Sequence, residues 1–169
     1  MQLTTRGRYA VMAMVDLAAG QRAGCECGNV CLAEIAARQQ LSLSYLEQLF
    51  GKLRRAGLVA SARGPGGGYR LALMSEDIPI AAIVAAVDEP ICATRCETGR
   101  GGCMAGSTGE GTNGAITGEK CQTHDLWFEL GRQIELFLTG VSLADVVSQR
   151  VRGRAMALPQ RVPQPLAAE

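Results

Sequence analysis

Apolar positions along the chain fall into short blocks whose periods predict the elements. Val11, Met14, Val15 and Ala18 repeat at helical spacing, so a helix is expected over residues 6–19, with Thr4 and Thr5 available to cap it. Gly20, Gly24 and Gly28 break the pattern. Leu32, Ile35 and Ala36 then give a short helix over 32–39. After a polar turn through Ser42, Leu46, Leu49, Phe50 and Leu53 mark the inward face of a second helix that runs to about Ala56, where Gly57 stops it. Residues 58–63 and 69–73 read as strands on either side of Gly64-Pro65-Gly66-Gly67-Gly68, which makes a β-hairpin. Two short amphipathic helices with a tight polar turn are the helix-turn-helix layout, and a basic-tipped hairpin directly behind them is a wing.

A further helix is expected from Ile78 to Val87, with Ile80, Ile83, Val84 and Val87 inward. Residues 88–123 are glycine-rich and aperiodic, which reads as loop. Helical spacing returns over 124–139, where Trp127, Leu130, Ile134 and Phe137, widened by Leu126 and Leu138, form a stripe too apolar to face water. It predicts a homodimer formed through this helix. Gly140 ends the helix, Ser142 to Asp145 resembles a capping box for one last short helix, and the chain beyond Arg150 is expected as a disordered tail. The fold class is therefore mostly α with a small β-hairpin wing. A winged helix-turn-helix spans 1–75, a loop and long dimerisation helix 76–149, and a tail 150–169.

Composition sharpens this picture in three places. No apolar run approaches the roughly 20 residues that cross a bilayer and the N-terminus carries no apolar leader, so the expected setting is the cytoplasm, with no membrane partner. The net charge of +1 hides an asymmetry: residues 1–75 hold nine Lys/Arg against four Asp/Glu, and the rest hold eight against twelve. The basic part is thus the one suited to phosphates. Cysteine is the third. There are seven, an odd number in a reducing compartment, and six cluster as 25, 27, 31 and 96, 103, 121, which favours metal or redox chemistry over a disulfide framework.

The glycine run at 64–68 is followed by a strand and lacks the lysine of a phosphate-binding loop, so it fits a hairpin tip better than a nucleotide site. Arg63 beside it suits the negative potential of a minor groove. Ser44 and Glu47 match a capping box, which would explain both without DNA, yet the first turn of a recognition helix is also where bases are read. Both roles can hold together. Arg54 and Arg55 are expected to meet phosphate or solvent.

Cys96, Cys103, Cys121 and His124, the chain's single histidine, are the candidate ligands. Three thiolates and an imidazole satisfy tetrahedral zinc or a 2Fe–2S cluster, and spacing alone does not choose, although only Cys121 and His124 are paired as zinc knuckles usually are. No Ser/His/Asp set can be assembled, so an enzyme is not expected.

Several strings are specific: Leu3-Thr-x-Arg-Gly-Arg-Tyr-Ala-Val, Leu41-Ser-Leu-Ser-Tyr-Leu-Glu-Gln-Leu-Phe, Arg63-Gly-Pro-Gly-Gly-Gly-Tyr, Ala93-Thr-Arg-Cys and Cys121-x-x-His124. In these the chain resembles the IscR-type family of winged-helix iron–sulfur transcription regulators, from the N-terminus to about residue 148. The resemblance implies that Ser42, Ser44 and Glu47 touch bases, with Tyr45 and Gln48 on the same DNA-facing turn, and that Arg63 enters the minor groove of a pseudo-palindromic operator. It also implies that the 124–139 helix dimerises, and that Cys96, Cys103, Cys121 and His124 hold a 2Fe–2S cluster reporting on iron–sulfur status. Apo and cluster-bound forms would then recognise different site classes, with Glu47 as a filter against sites lacking a suitably placed cytosine. A nitric-oxide or redox sensor of the same fold and a zinc-stapled DNA-binding protein are the alternatives. The loop between Cys103 and Cys121 is longer than the family pattern, and Cys92 is expected to be a bystander. The Cys25-Glu-Cys27-Gly-Asn-Val-Cys31 segment lies outside the resemblance; inert thiols, a second metal site and a redox switch all remain open for it.

Overall fold

A computed structural model of the chain describes residues 5–22, 29–64, 66–87 and 122–152. The segment with Cys92, Cys96, Cys103 and Cys121, expected as loop, the Cys25/Cys27 pair, and the residues from 153 onward lie outside the described residues.

Six helices and one hairpin are present among them: α1 (Thr5–Arg22), α2 (Leu32–Gln39), α3 (Leu43–Arg55), β1 (Val59–Ala62), β2 (Gly68–Leu71), a 3-10 turn at Ser75–Asp77, α4 (Ile80–Ala86), α5 (His124–Thr139) and α6 (Leu143–Val147). α1 runs three residues further than its periodicity suggests, and Thr5 lies inside it rather than capping it. The α3 stop is a glycine motif: Gly57 takes φ +75°, its N–H bonds the Arg54 carbonyl at 3.0 Å, and the Leu58 N–H bonds the Leu53 carbonyl at 3.0 Å. Leu53 and Leu58, at the two ends of that bond, are both buried in the core. α2 ends in the same geometry with a less suitable residue, for Gln40 sits at φ 54° where glycine would be unstrained.

The hairpin pairs antiparallel, Val59 with Leu71 through Ala62 with Gly68. α4 starts later than expected, at Ile80 instead of Ile78. Ile78 precedes Pro79 and stays extended, at φ −101° and ψ 99°. That extended pair is used in the fold, because the Ile80 N–H bonds the Val141 carbonyl (2.9 Å) and the Leu143 N–H bonds the Ile78 carbonyl (2.8 Å). α6 then begins with the expected capping box, Ser142 and Asp145 bonding each other's backbone N–H.

One hydrophobic core joins all of this. Met14 and Leu17 of α1, Ile35 of α2, Leu46, Phe50 and Leu53 of α3, Ile83 of α4 and Leu143 of α6 are fully buried in a single cluster. Core residues therefore come from both sides of residue 75. α2 is further tied to α1 by a polar clamp: Arg38 gives two bonds to Asp16 Oδ1, from Nη2 at 2.7 Å and Nε at 3.0 Å, and Gln39 Nε2 donates to Oδ2 at 2.8 Å. Burial raises the Asp16 pKa, but the bonds from Arg38 and Gln39 and the Arg38 charge outweigh it, so the carboxyl titrates below its ordinary value.

Candidate nucleic-acid interface and sensor helix

The first turn of α3 is polar and outward-facing because its apolar residues are spent on the core side. Leu46, Leu49, Phe50 and Leu53 are buried, which leaves Ser42, Ser44, Glu47 and Gln48 exposed. The cap is Ser42, whose hydroxyl accepts from the Tyr45 N–H at 3.4 Å. The expected Ser44–Glu47 capping box does not form, since the helix begins two residues earlier than that box requires, at Leu43, and both residues are already inside it. Capping thus no longer explains Ser44 and Glu47. Tyr45 is half-buried, its ring edge-on to Tyr9 of α1 at 6.2 Å. That contact brings the turn of α1 bearing the exposed Arg6 and Arg8 next to the start of α3. Periodicity gives no hint of these two arginines as interface residues, because it shows only that they are not core.

The wing is fastened to α3 at two points. Tyr69 of β2 stacks edge-on against Phe50 at 4.9 Å between ring centroids, and Arg54 Nη1 donates to the Ser61 hydroxyl at 3.3 Å. Arg54 therefore braces the hairpin in addition to lying on the exposed surface. Arg63 is exposed at the end of the hairpin, next to Gly64 (φ +99°) and Gly66 (φ +77°). Side chains are barred from two positions there: a Cβ at Gly67 would meet the Ala62 carbonyl oxygen at 2.6 Å, and one at Gly68 the Val30 carbonyl oxygen at 2.5 Å. Val30 comes that close because it pairs with Tyr69, each N–H bonding the other's carbonyl at 2.8 and 2.9 Å.

α5 carries the second set of candidate residues. It packs on α4, yet Gly131 is its only buried residue. Leu130, Ile134 and Leu138, spaced four apart, are half-buried. Leu126 (62% exposed), Trp127 (40%) and Phe137 (41%) face solvent. Phe128 (44%) and Leu136 (56%) add exposed apolar surface off the expected stripe. The helix is thus more apolar around its circumference than the stripe alone indicates. His124 opens it, half-buried, its ring stacked on Phe128 at 6.3 Å and 14° between planes. Helical spacing of four connects the two rings, so Phe128 was detectable as the neighbour of the candidate ligand. Of the four candidate ligands only His124 is a described residue. Cys31, exposed, stands immediately before α2, and its carbonyl accepts from the Glu34 and Ile35 N–H groups.

Among the described residues no helix is long and apolar enough to cross a membrane. The chain matches over residues 3–149 the family model Rrf2, described as an iron-dependent transcriptional regulator. It is 48% identical over 147 residues to the HTH-type transcriptional regulator IscR of Aliivibrio salmonicida, covering 87% of this chain and 77% of that protein. With the IscR of Klebsiella pneumoniae it shares 45% over 150 residues, 89% of this chain and 82% of the other. Among solved structures, T. potens IscR superposes with a TM-score of 0.65 at 32% identity, covering 94% of both chains. CymR, the global cysteine regulator of B. subtilis, gives 0.65 at 28%, covering 88% of this chain and 98% of that one. The helix-turn-helix, its braced wing and these matches agree: the chain belongs to the Rrf2 family of iron-dependent transcriptional regulators, and is a DNA-binding regulator of the IscR type.

Proposed function

We propose that this regulator reads a pseudo-palindromic operator as a homodimer and senses iron–sulfur status through a 2Fe–2S cluster held by Cys96, Cys103, Cys121 and His124. The observation that carries the DNA half is the N-terminal part of α3, where Ser44, Glu47 and Gln48 stand exposed without a capping role, on the unit that also presents Arg63. Arg6 and Arg8 beside it suit phosphate. Ser44 and Gln48 can serve several base edges, whereas Glu47 is attracted by a cytosine amino group and repelled by phosphate, so it accepts some sites and rejects others.

The donor set fits the cluster. Three soft thiolates and one imidazole match 2Fe–2S ligation, and His124 sits half-buried at the start of α5 with Phe128 stacked behind its ring. When bound, the cluster supplies an oxidisable, removable group whose presence reports on supply. His124 would provide an imidazole nitrogen to it, with the Phe128 ring beside it. Because His124 begins α5, a ligand that prefers one position of this ring biases the helix on which we place the dimer contact.

The chain purified without oxygen should be red-brown, with iron and acid-labile sulfide near two each per subunit. Cys96→Ala, Cys103→Ala and Cys121→Ala should each bleach it, while Cys92→Ala should not. Zinc in place of iron after anaerobic expression would overturn the cluster reading. Titrating both operator classes at one fixed salt concentration tests Glu47. Cluster-free Glu47→Ala should gain about 1–3 kcal/mol on the class that the cluster-free parent rejects, with cluster content unchanged.

A further inference from the structure

The wing tip is held from outside the hairpin by a residue of the α1–α2 connection. Asn29 Nδ2 donates to the Gly66 carbonyl at 3.3 Å, across 37 positions of sequence. Its other amide atom, Oδ1, is buried with no hydrogen-bond partner among the described residues. A buried amide oxygen without a donor is a cost, so the side chain's favourable contribution there comes from the single bond that Nδ2 makes. Among the described residues few other hydrogen bonds fix the loop it grips. Within the tip the Gly67 N–H bonds the Gly64 carbonyl at 2.8 Å, and the ladder proper ends at Ala62 and Gly68. Gly64 and Gly66 both occupy left-handed backbone that constrains them little. Arg63 lies between the end of β1 and this turn.

We infer that Asn29 is a positioning residue for the wing: by holding the Gly66 carbonyl it sets the pitch at which Arg63 is offered to DNA, and so tunes the minor-groove share of site selection. The inference rests on the reading of Arg63 given above. Asn29 itself need not touch DNA. Its neighbour Val30 fixes the root of the wing through the paired bonds to Tyr69, and Asn29 extends that grip to the tip. An alanine removes the donor and leaves the ladder intact. An aspartate of the same shape sets an acceptor against the Gly66 carbonyl.

The test uses full-length protein, cluster-bound and anaerobic, on two operators that share every major-groove base. In one the step facing the wing is an A-tract with a narrow minor groove, and in the other it is G·C-rich and wide. The parent should prefer the narrow-groove operator, and R63A should abolish that preference. N29A should reduce it by about three- to tenfold, the size of one neutral hydrogen bond's net effect. N29D should reduce it at least as far, with both variants unfolding thermally where the parent does. In the R63A background N29A should change nothing further. If R63A keeps the parental preference, the minor-groove reading of Arg63 fails and this inference with it. If R63A loses the preference while N29A and N29D keep it, or if the N29A and R63A effects add, the inference alone is overturned.

Discussion

The winged-helix unit and α5 are built from equally apolar sequence, yet they end in opposite states. In the first, Phe50, Leu53, Ile35 and Met14 are fully buried and the chain satisfies itself. In the second, five large apolar side chains of one 16-residue helix stay more than a third exposed, and only Gly131 is buried. A domain that completes its core within one chain can hold a reading surface rigid. A helix that leaves its apolar surface uncovered is built to meet another surface, and its own short sequence supplies the natural match. With the dimer contact proposed on α5, rigidity and assembly fall to different elements, which meet where α5 packs on α4.

The largest effect should come from the finished core. Phe50→Ala removes a ring packed against Tyr69 and should cost about 3–5 kcal/mol by urea unfolding, with the wing losing its brace as well. A loss below 1 kcal/mol would mean that the winged unit is not the cooperative core described. Next comes the unfinished surface. Leu126→Glu combined with Phe137→Glu should weaken self-association by about 100-fold or more in sedimentation velocity, while leaving the unfolding of an isolated subunit nearly unchanged. An unaltered dimer would place the contact elsewhere.

Two smaller changes sharpen the contrast from within the winged unit. Asp16→Asn should cost about 1 kcal/mol or less, because the Arg38 side chain is 47% exposed and screened. The pH dependence carries a sign. Asp16 titrates lower folded than unfolded, so its stabilisation is complete above the unfolded value and fades as acid reaches the folded one. The gap between parent and variant should therefore be flat from about pH 5 to 8 and close in stronger acid, measured as urea midpoints. Gln40→Gly, which relieves a left-handed non-glycine residue, should stabilise by about 0.5–1 kcal/mol in the same assay.

Legibility in the sequence followed the range of the interaction. The inward face of α3 was readable because burial there is periodic, and its stop because Gly57 acts on its own turn. The α4 start was misjudged at Ile78, where a local rule about the residue before proline overrides apolar spacing. Ser44 fitted the capping-box pattern, whereas Ser42, with Tyr45 three residues on, did not, yet the helix start makes Ser42 the cap. Asn29 was invisible, since its side-chain partner among the described residues is 37 positions away and leaves no short-range trace. His124 was singled out by chemistry, as the single histidine three residues after a cysteine, while its packing on Phe128 needed the helix to be seen.

The crowded glycines of the wing bear on any attempt to retarget this regulator. Gly67 and Gly68 each lie against carbonyl oxygens that would collide with the smallest side chain, so the hairpin's backbone path tolerates no substitution at either position. An engineer seeking a new operator would leave that path intact and work on the exposed positions to which we assign the reading: Ser44, Glu47 and Gln48 for base identity, Arg63 for groove shape. The wing would then act as a fixed ruler, and the recognition helix as the replaceable part.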